Sequence, residues 1–226
     1  MKKQILTLLA VSLYSFSAFA AELPAAKKLY YTTGACSLAS RIVANELGLK
    51  LEYEHVDLAT HKTASKKDFY TINKKGAVPA LELTDGQVLS EGAVIMQFLS
   101  DANGFKLLEK TDDLNRYRTL EGVNYISTEL HKSIAMLFAF KGSDAIIPKA
   151  IVDKKLSQLN KMLEGNKSGF FVGEKFTIAD AYLATVLRWP AMFGIDIAKY
   201  SNISKYHKNI LNRPSIKQSL SEEGLV

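Results

Sequence analysis

The 226-residue sequence has a single cysteine, Cys36, and only four histidines. One thiol cannot close an internal disulfide, nor can it build a structural thiolate-metal cage. The histidines, His55, His61, His131 and His207, are scattered without the spacing of a ligand cluster, so no metal is expected. Basic side chains are equally dispersed. Lysine pairs recur at Lys66-Lys67, Lys74-Lys75 and Lys154-Lys155, but no dense basic block with interleaved aromatics is present. That excludes a nucleic-acid partner and leaves the pairs as solvated surface. No glycine-rich phosphate loop follows a strand, and no Ser-His-Asp order is found.

Past the first twenty residues, no apolar run is long enough to span a membrane. The leader itself begins with Lys2 and Lys3, continues through an apolar stretch at 5–19 broken by Ser12, Ser15 and Ser17, and ends in Ala18-Phe19-Ala20. This small-x-small site is the pattern of a secretory signal peptide, 1–20, cut before Ala21. The chain is therefore expected to be exported, with no membrane contact after cleavage. Losing Lys2 and Lys3 lowers the formal charge from +6 to +4, a mild field that favours a small anionic substrate. A hydrophobic fraction of 47% with 23% charged residues is that of a globular protein and argues against disorder.

What is present is organised around residues 76–92. Two apolar runs flank Thr84-Asp85-Gly86-Gln87, the pattern of a β-hairpin with a glycine-containing turn, and Pro79 opens the first run. The second run ends at Ser90 and hands over to a helix, whose first N–H groups offer an anion site. Upstream, 28–32 reads as a strand, Ser37 as the cap of a helix ending at Gly48, and 51–58 as a second strand; 59–75 reads as a loop with a short irregular helix. The order is βαβαββα over 28–102. A linker follows at 103–111, then an all-helical half at 112–226. Asp112 and Asp113 read as first-turn acids of a long helix with core positions Leu114, Tyr117, Leu120, Val123, Leu130, Ile134 and Leu137, interrupted at Ser127. Pro148 separates it from a second helix with Ile151, Val152, Leu156, Leu159, Met162 and Leu163 inward. Thr177 and Asp180 form a near relative of the capping box, starting a helix that carries Ala181, Tyr182, Thr185, Val186 and Trp189 until Pro190 ends or kinks it.

Several residues in this frame carry chemistry. Cys36 stands at a strand-to-helix junction, where N–H groups and the helix dipole lower a thiol pKa; burial as a small apolar group is the competing role. Ser37 is a second hydroxyl donor or simply a cap. Val78, if its bond to Pro79 is cis, turns its backbone outward to pair with an extended peptide. Glu91 can accept an ammonium while Gly92 and its neighbours take a carboxylate, or it only complements the dipole. On the long helix, Asn124, Thr128 and His131 share a polar stripe, with Lys132 about 100° round.

These stretches resemble the beta-class bacterial glutathione S-transferases. The likeness is carried by Tyr31 with Gly34-Ala35-Cys36-Ser37, by Asn73-Lys74-Lys75-Gly76-Ala77-Val78-Pro79-Ala80-Leu81, and by Leu89-Ser90-Glu91-Gly92. Asn124-Tyr125-Ile126-Ser127-Thr128-Glu129-Leu130-His131-Lys132 and Phe176-Thr177-Ile178-Ala179-Asp180 extend it through the helical half. The resemblance implies a thioredoxin-like α/β domain followed by an all-α domain, assembled as a homodimer. It implies glutathione as co-substrate and a hydrophobic electrophile as its partner. By the same likeness Val78, before a cis Pro79, pairs with the cysteinyl backbone of glutathione, while Glu91 and Gly92 hold its γ-glutamyl group. Cys36 faces the sulfur and, with His131, is the catalytic candidate. Asn124, His131 and Lys132 line the cleft, Glu129 reaches across the dimer, and Thr177–Asp180 is structural. Relatives often carry a glutathione-contacting lysine after the second strand; here Thr60-His61-Lys62 stands in its place, so that contact moves to His61 or Lys62 or is missing. The family is mostly cytosolic, whereas this leader implies the periplasm, or the cytoplasm if unprocessed. The activities expected are conjugation, thiol–disulfide exchange through Cys36, or non-catalytic binding of apolar ligands.

Overall fold

Strand β1 (Ala26–Tyr31) buries Leu29 and Tyr30 at the centre of a five-stranded sheet that runs in the order β3 (Lys62–Thr63), β2 (Glu52–Asp57), β1, β4 (Ala80–Leu83) and β5 (Val88–Ser90). The computed structural model describes residues 23–226, so the expected signal peptide lies outside the described residues. Strand β2 (Glu52–Asp57) runs parallel to β1, which requires a crossover, supplied by helix α1 (Ser37–Glu46). Leu38, Ile42 and Val43 of α1 are buried in the core. The crossover turns back at Gly48, where φ is +70° and the Leu49 N–H reaches the Ala44 carbonyl at 2.9 Å.

The hairpin at 76–92 has the expected form. β4 (Ala80–Leu83) pairs antiparallel with β1 on one edge and with β5 (Val88–Ser90) on the other, in register Ala80↔Ser90 and Leu81↔Leu89. At its tip the Asp85 carboxylate accepts the Gln87 N–H at 3.0 Å, and Gly86 supplies the φ of +85°. Helix α2 (Gly92–Asp101) follows without a loop.

Segment 59–75 departs from expectation. In place of an irregular α-helix it holds a two-residue strand, β3 (Lys62–Thr63), antiparallel to β2, and a single 3-10 turn at Phe69–Thr71 capped by Asp68. The segment has one large side chain to bury, Phe69, and such a polar stretch cannot support the apolar stripe of a longer helix.

The expected linker has no regular structure, yet Leu107 and Leu108 are buried and the Leu107 carbonyl accepts the Ile178 N–H at 3.1 Å. Helices α3 (Leu114–Tyr125) and α4 (Lys132–Ala139) form one continuous path through a π-helical turn, Ile126–His131. Asp113 is the N-cap, accepting the Asn115 N–H, and not a first-turn acid. Val123, Leu130, Ile134 and Leu137 are buried as expected, but Leu114 and Tyr117 point outward. Arg116 and Thr119 take the inner face there, because the Arg116 guanidinium forks onto Asp101 at 2.9 and 2.8 Å and turns the first helical turn toward α2. Helix α5 (Ile146–Met162) buries Val152, Leu156 and Leu159 and leaves Ile151 and Met162 outside; Pro148 lies within its first turn, where its missing N–H does no harm. Helix α6 (Ile178–Val186) is buried throughout. It ends before a 3-10 turn, Pro190–Phe193, and α7 (Ser201–Ile210) and α8 (Pro214–Glu222) close the chain. Among the described residues no helix is long and apolar enough to cross a membrane.

Candidate active site

The turn after β1 brings Cys36 to the head of α1, and the helical half braces that turn from behind. The indole N–H of Trp189 donates to the Gly34 carbonyl at 3.0 Å, and the Glu223 carboxylate accepts the Gly34 N–H at 2.8 Å. Ser37 does not cap α1; it is the first helical residue, wholly buried, and its hydroxyl exchanges hydrogen bonds of 3.2 Å with the Thr32 backbone. It staples the turn to β1 and is withdrawn from any ligand. Cys36 is left half-buried, with its S–H donating to the Val78 carbonyl at 3.2 Å.

Val78 stands before Pro79 in a cis peptide bond. Its N–H has no hydrogen-bond partner among the described residues, so the segment presents an open donor just before β4. Asn73 holds this segment from below, its amide donating to the Ala77 carbonyl at 2.7 Å. Glu91 joins β5 to α2 with φ +70° and ψ 112°, a conformation uncommon for a residue with a side chain. It precedes the helix and is exposed, where Lys75 meets its carboxylate at 2.5 Å and the Ser90 hydroxyl at 3.1 Å. Gly92, the first residue of α2, lies against Pro79.

Cys36, Val78, Pro79, Glu91, Gly92, His131 and Lys132 all line one cleft of about 380 Å3 between the two halves. Asn124 does not: it is exposed on α3, and its carbonyl accepts the Thr128 hydroxyl at 3.0 Å. The π-turn adds a residue per turn between Asn124 and His131, which rotates the two off the common stripe that α-helical spacing implies. Glu129 forms an ion pair with Lys155 of the same chain. His61 and Lys62 also stay outside the cleft, His61 against Tyr70 and the Gly76 carbonyl and Lys62 beside Asp68.

The electrostatics reverse one expectation. The N–H groups of Cys36 and Ser37 do lower the Cys36 pKa, but burial outweighs them and the Glu91 charge adds to it, so the thiol is pushed up to about 11. Cys36 is therefore a protonated donor at neutral pH. His131 shares a 2.6 Å hydrogen bond with the Tyr182 hydroxyl and packs against Trp189 at 4.8 Å between ring centres. Burial first, and then the Lys132 charge, hold it below the ordinary histidine range, so it is neutral at pH 7.

Comparison with known proteins agrees with this arrangement. Residues 33–102 match the glutathione S-transferase N-terminal domain and residues 131–214 the glutathione S-transferase C-terminal domain. The sequence is 40% identical over 201 residues to glutathione S-transferase GstA of Escherichia coli O157:H7, covering 88% of this chain and 99% of that protein. The chain belongs to the glutathione S-transferase family. Its fold superimposes on the beta-class glutathione S-transferase of Sphingomonas chungbukensis with a TM-score of 0.83 at 37% identity, over 88% of this chain and all of that one. A sphingomonad glutathione S-transferase complexed with glutathione gives a TM-score of 0.80 at 37% identity, with the same coverage.

Within the transferase cleft, three residues escape sequence reasoning. Lys75 lies in a pair that reads as surface, and Tyr182 reads as one more core position of α6. Ser127 reads as an interruption in an apolar face. The spacing of Lys75 to the hairpin was the one available signal for the first; for the other two, only the fold brings them to His131 and the cleft.

Proposed function

We propose that this glutathione S-transferase is of the beta class and conjugates the glutathione thiolate to hydrophobic electrophiles. The observation that carries the reading is the convergence of Cys36, the Val78 backbone and Glu91 on one cleft, with the Cys36 S–H already directed as a donor. The tripeptide backbone pairs with the Val78 N–H and carbonyl as an added strand. Its ammonium takes the place of the Lys75 Nζ at Glu91, and its carboxylate meets the first N–H groups of α2 at Gly92. Displaced from the Val78 carbonyl, the Cys36 S–H donates to the glutathione sulfur and stabilises its thiolate. The glutathione thiol proton leaves through neutral His131 or to water while Cys36 keeps its own, and the glutathione thiolate attacks the electrophile, forming the carbon–sulfur bond as the leaving group or π-electron pair departs. Lys132, exposed at the mouth, attracts the anionic co-substrate. Ala135 carries α4 into the cleft, and one turn on Phe138 stands exposed and edge-on to Phe193 at 4.8 Å, an apolar surface for the electrophile.

The mature protein is a periplasmic homodimer in this proposal, with Asn124 outside the single-chain cleft. Exchange through a Cys36 thiolate is the weaker reading, since burial works against that thiolate. Wild type and Cys36→Ala are compared on a chromogenic electrophile and on a glutathione mixed disulfide. Conjugation retained at reduced rate in the variant supports a donor role; fast exchange in the wild type that disappears in the variant refutes it. A mass of the cell-extracted protein starting at Met1 contradicts export.

A further inference from the structure

Outside the glutathione cleft, the side chains of Arg188 and His207 have no protein partner among the described residues. The sequence has five arginines, and four of them meet carboxylates: Arg41 with Glu222 and Glu223, Arg116 with Asp101, Arg118 with Glu121, and Arg213 with Glu46. Arg188, just past α6, makes no side-chain hydrogen bond or ion pair among the described residues, although it is half-buried. It lines a depression of about 590 Å3 together with Gly194, Ile195, Asp196 and His207, sharing no residue with the catalytic cleft. His207, on α7, brings a second unsatisfied group, because its Nε2 is buried without a partner among the described residues.

Buried polar atoms are nearly always paired, which singles out the His207 Nε2, and Arg188 adds to the same depression a half-buried guanidinium with no counter-charge among the described residues. The acidic groups nearby are committed elsewhere. Asp196 accepts the Ala198 N–H at 2.8 Å, and Glu223, whose field reaches Arg188, is held by Arg41 and the Gly34 N–H. Burial, and after it the Arg188 charge, hold the His207 pKa at about 4, so the two side chains lie within each other's field and His207 is neutral at pH 7. A fork of guanidinium N–H groups beside an imidazole matches the oxygens of a carboxylate or a phosphate.

We propose that Arg188 and His207 form a second binding site, for a small soluble oxyanion of the carboxylate or phosphate type. Arg188 is followed by Trp189, the indole that braces the Cys36 turn through the Gly34 carbonyl and packs on His131. Occupancy of this site thus acts next to the support of the catalytic turn, and the only tryptophan in the chain reports on it.

The test titrates inorganic phosphate, and separately acetate, into the full-length protein at constant ionic strength in the presence of saturating glutathione. Trp189 fluorescence and calorimetry are the readouts. A saturable response to phosphate or acetate, not reproduced by chloride, is expected, and the tighter of the two names the class. Arg188→Met is expected to weaken it about tenfold or more, the loss of one charge-assisted interaction. His207→Gln, which leaves Arg188 in place, is expected to weaken it as well and covers the case in which the arginine variant fails to fold. A response absent through the millimolar range, or an affinity unchanged in His207→Gln and in Arg188→Met, overturns the proposal. So does phosphate binding seen only without glutathione, because the anion then sits in the catalytic cleft. None of these outcomes bears on conjugation, so the two proposals fail separately.

Discussion

Asp180 is wholly buried at the third position of α6, and each of its oxygens serves two donors. Oδ1 accepts the Phe171 N–H at 2.7 Å and the Tyr206 hydroxyl at 3.0 Å; Oδ2 accepts the Thr177 N–H at 2.9 Å and the Thr177 hydroxyl at 3.1 Å. Asp180→Ala strands these donors in the core, and with partial relaxation the cost is about 3–5 kcal/mol, a large part of a typical domain's stability. The charge itself is not free of cost. Burial, only partly offset by those hydrogen bonds, raises the Asp180 pKa to about 6 from 3.8. The folded state therefore binds the proton more tightly than the unfolded chain, so this group favours folding most below the unfolded value. Its contribution falls as pH rises from about 4 to 6, by about 3 kcal/mol in total, and is level above that. Asp180→Asn removes the titration and strands a single N–H at Thr177, so its deficit at acid pH is expected to shrink toward neutrality. Urea midpoints of wild type and both variants, measured from pH 4 to 8, check this. A wild-type-minus-Asn difference that grows with pH, or an Ala variant as stable as wild type, refutes the reasoning.

Three further outcomes follow from the cleft and its supports. Gly76→Ala places a Cβ 2.6 Å from Tyr70 and 2.9 Å from His61 at a φ of +65°, so a loss of about 1–3 kcal/mol is expected in thermal melts, together with weaker glutathione binding. Glu91→Gln is expected to raise the KM for glutathione about tenfold through loss of an ammonium acceptor, with kcat little changed. The melting temperature should stay where it is, because the Lys75–Glu91 pair is exposed. Lys132→Ala removes a neighbouring positive charge, so the His131 midpoint is expected to rise in an NMR titration; a fall contradicts the assignment.

The hairpin, its turn and the capping box are legible in the sequence because each is local: Asp85 and Gly86 act within one turn, and Thr177 and Asp180 lie three residues apart. The crossover and the all-helical half are equally readable from periodicity. What escapes depends on distance. Thr60-His61-Lys62 occupies the place of a family lysine, but the lysine that joins Lys132 in the cleft is Lys75, delivered by the approach of 73–79 to the head of α2. The rule that a helix N-terminus lowers a thiol pKa is correct for Cys36 as far as its N–H groups go, and burial reverses the outcome. No stretch of sequence displays that burial. Asn124 and His131 share a stripe on a regular helix, and a π-turn separates them. The inner face of α3 is likewise set by a remote partner, Asp101, which draws Arg116 inward.

The central claim is that Cys36 serves glutathione as a protonated donor. The rate of Cys36 alkylation by a small neutral reagent, followed from pH 5 to 11 by mass in the glutathione-free protein, tests it most directly. With the thiol pushed up to about 11, only about one molecule in a thousand carries the thiolate at pH 8, and the rate is expected to rise throughout the range. A rate that reaches its plateau below pH 7.5 would show a thiolate at neutral pH and contradict the account in favour of disulfide exchange.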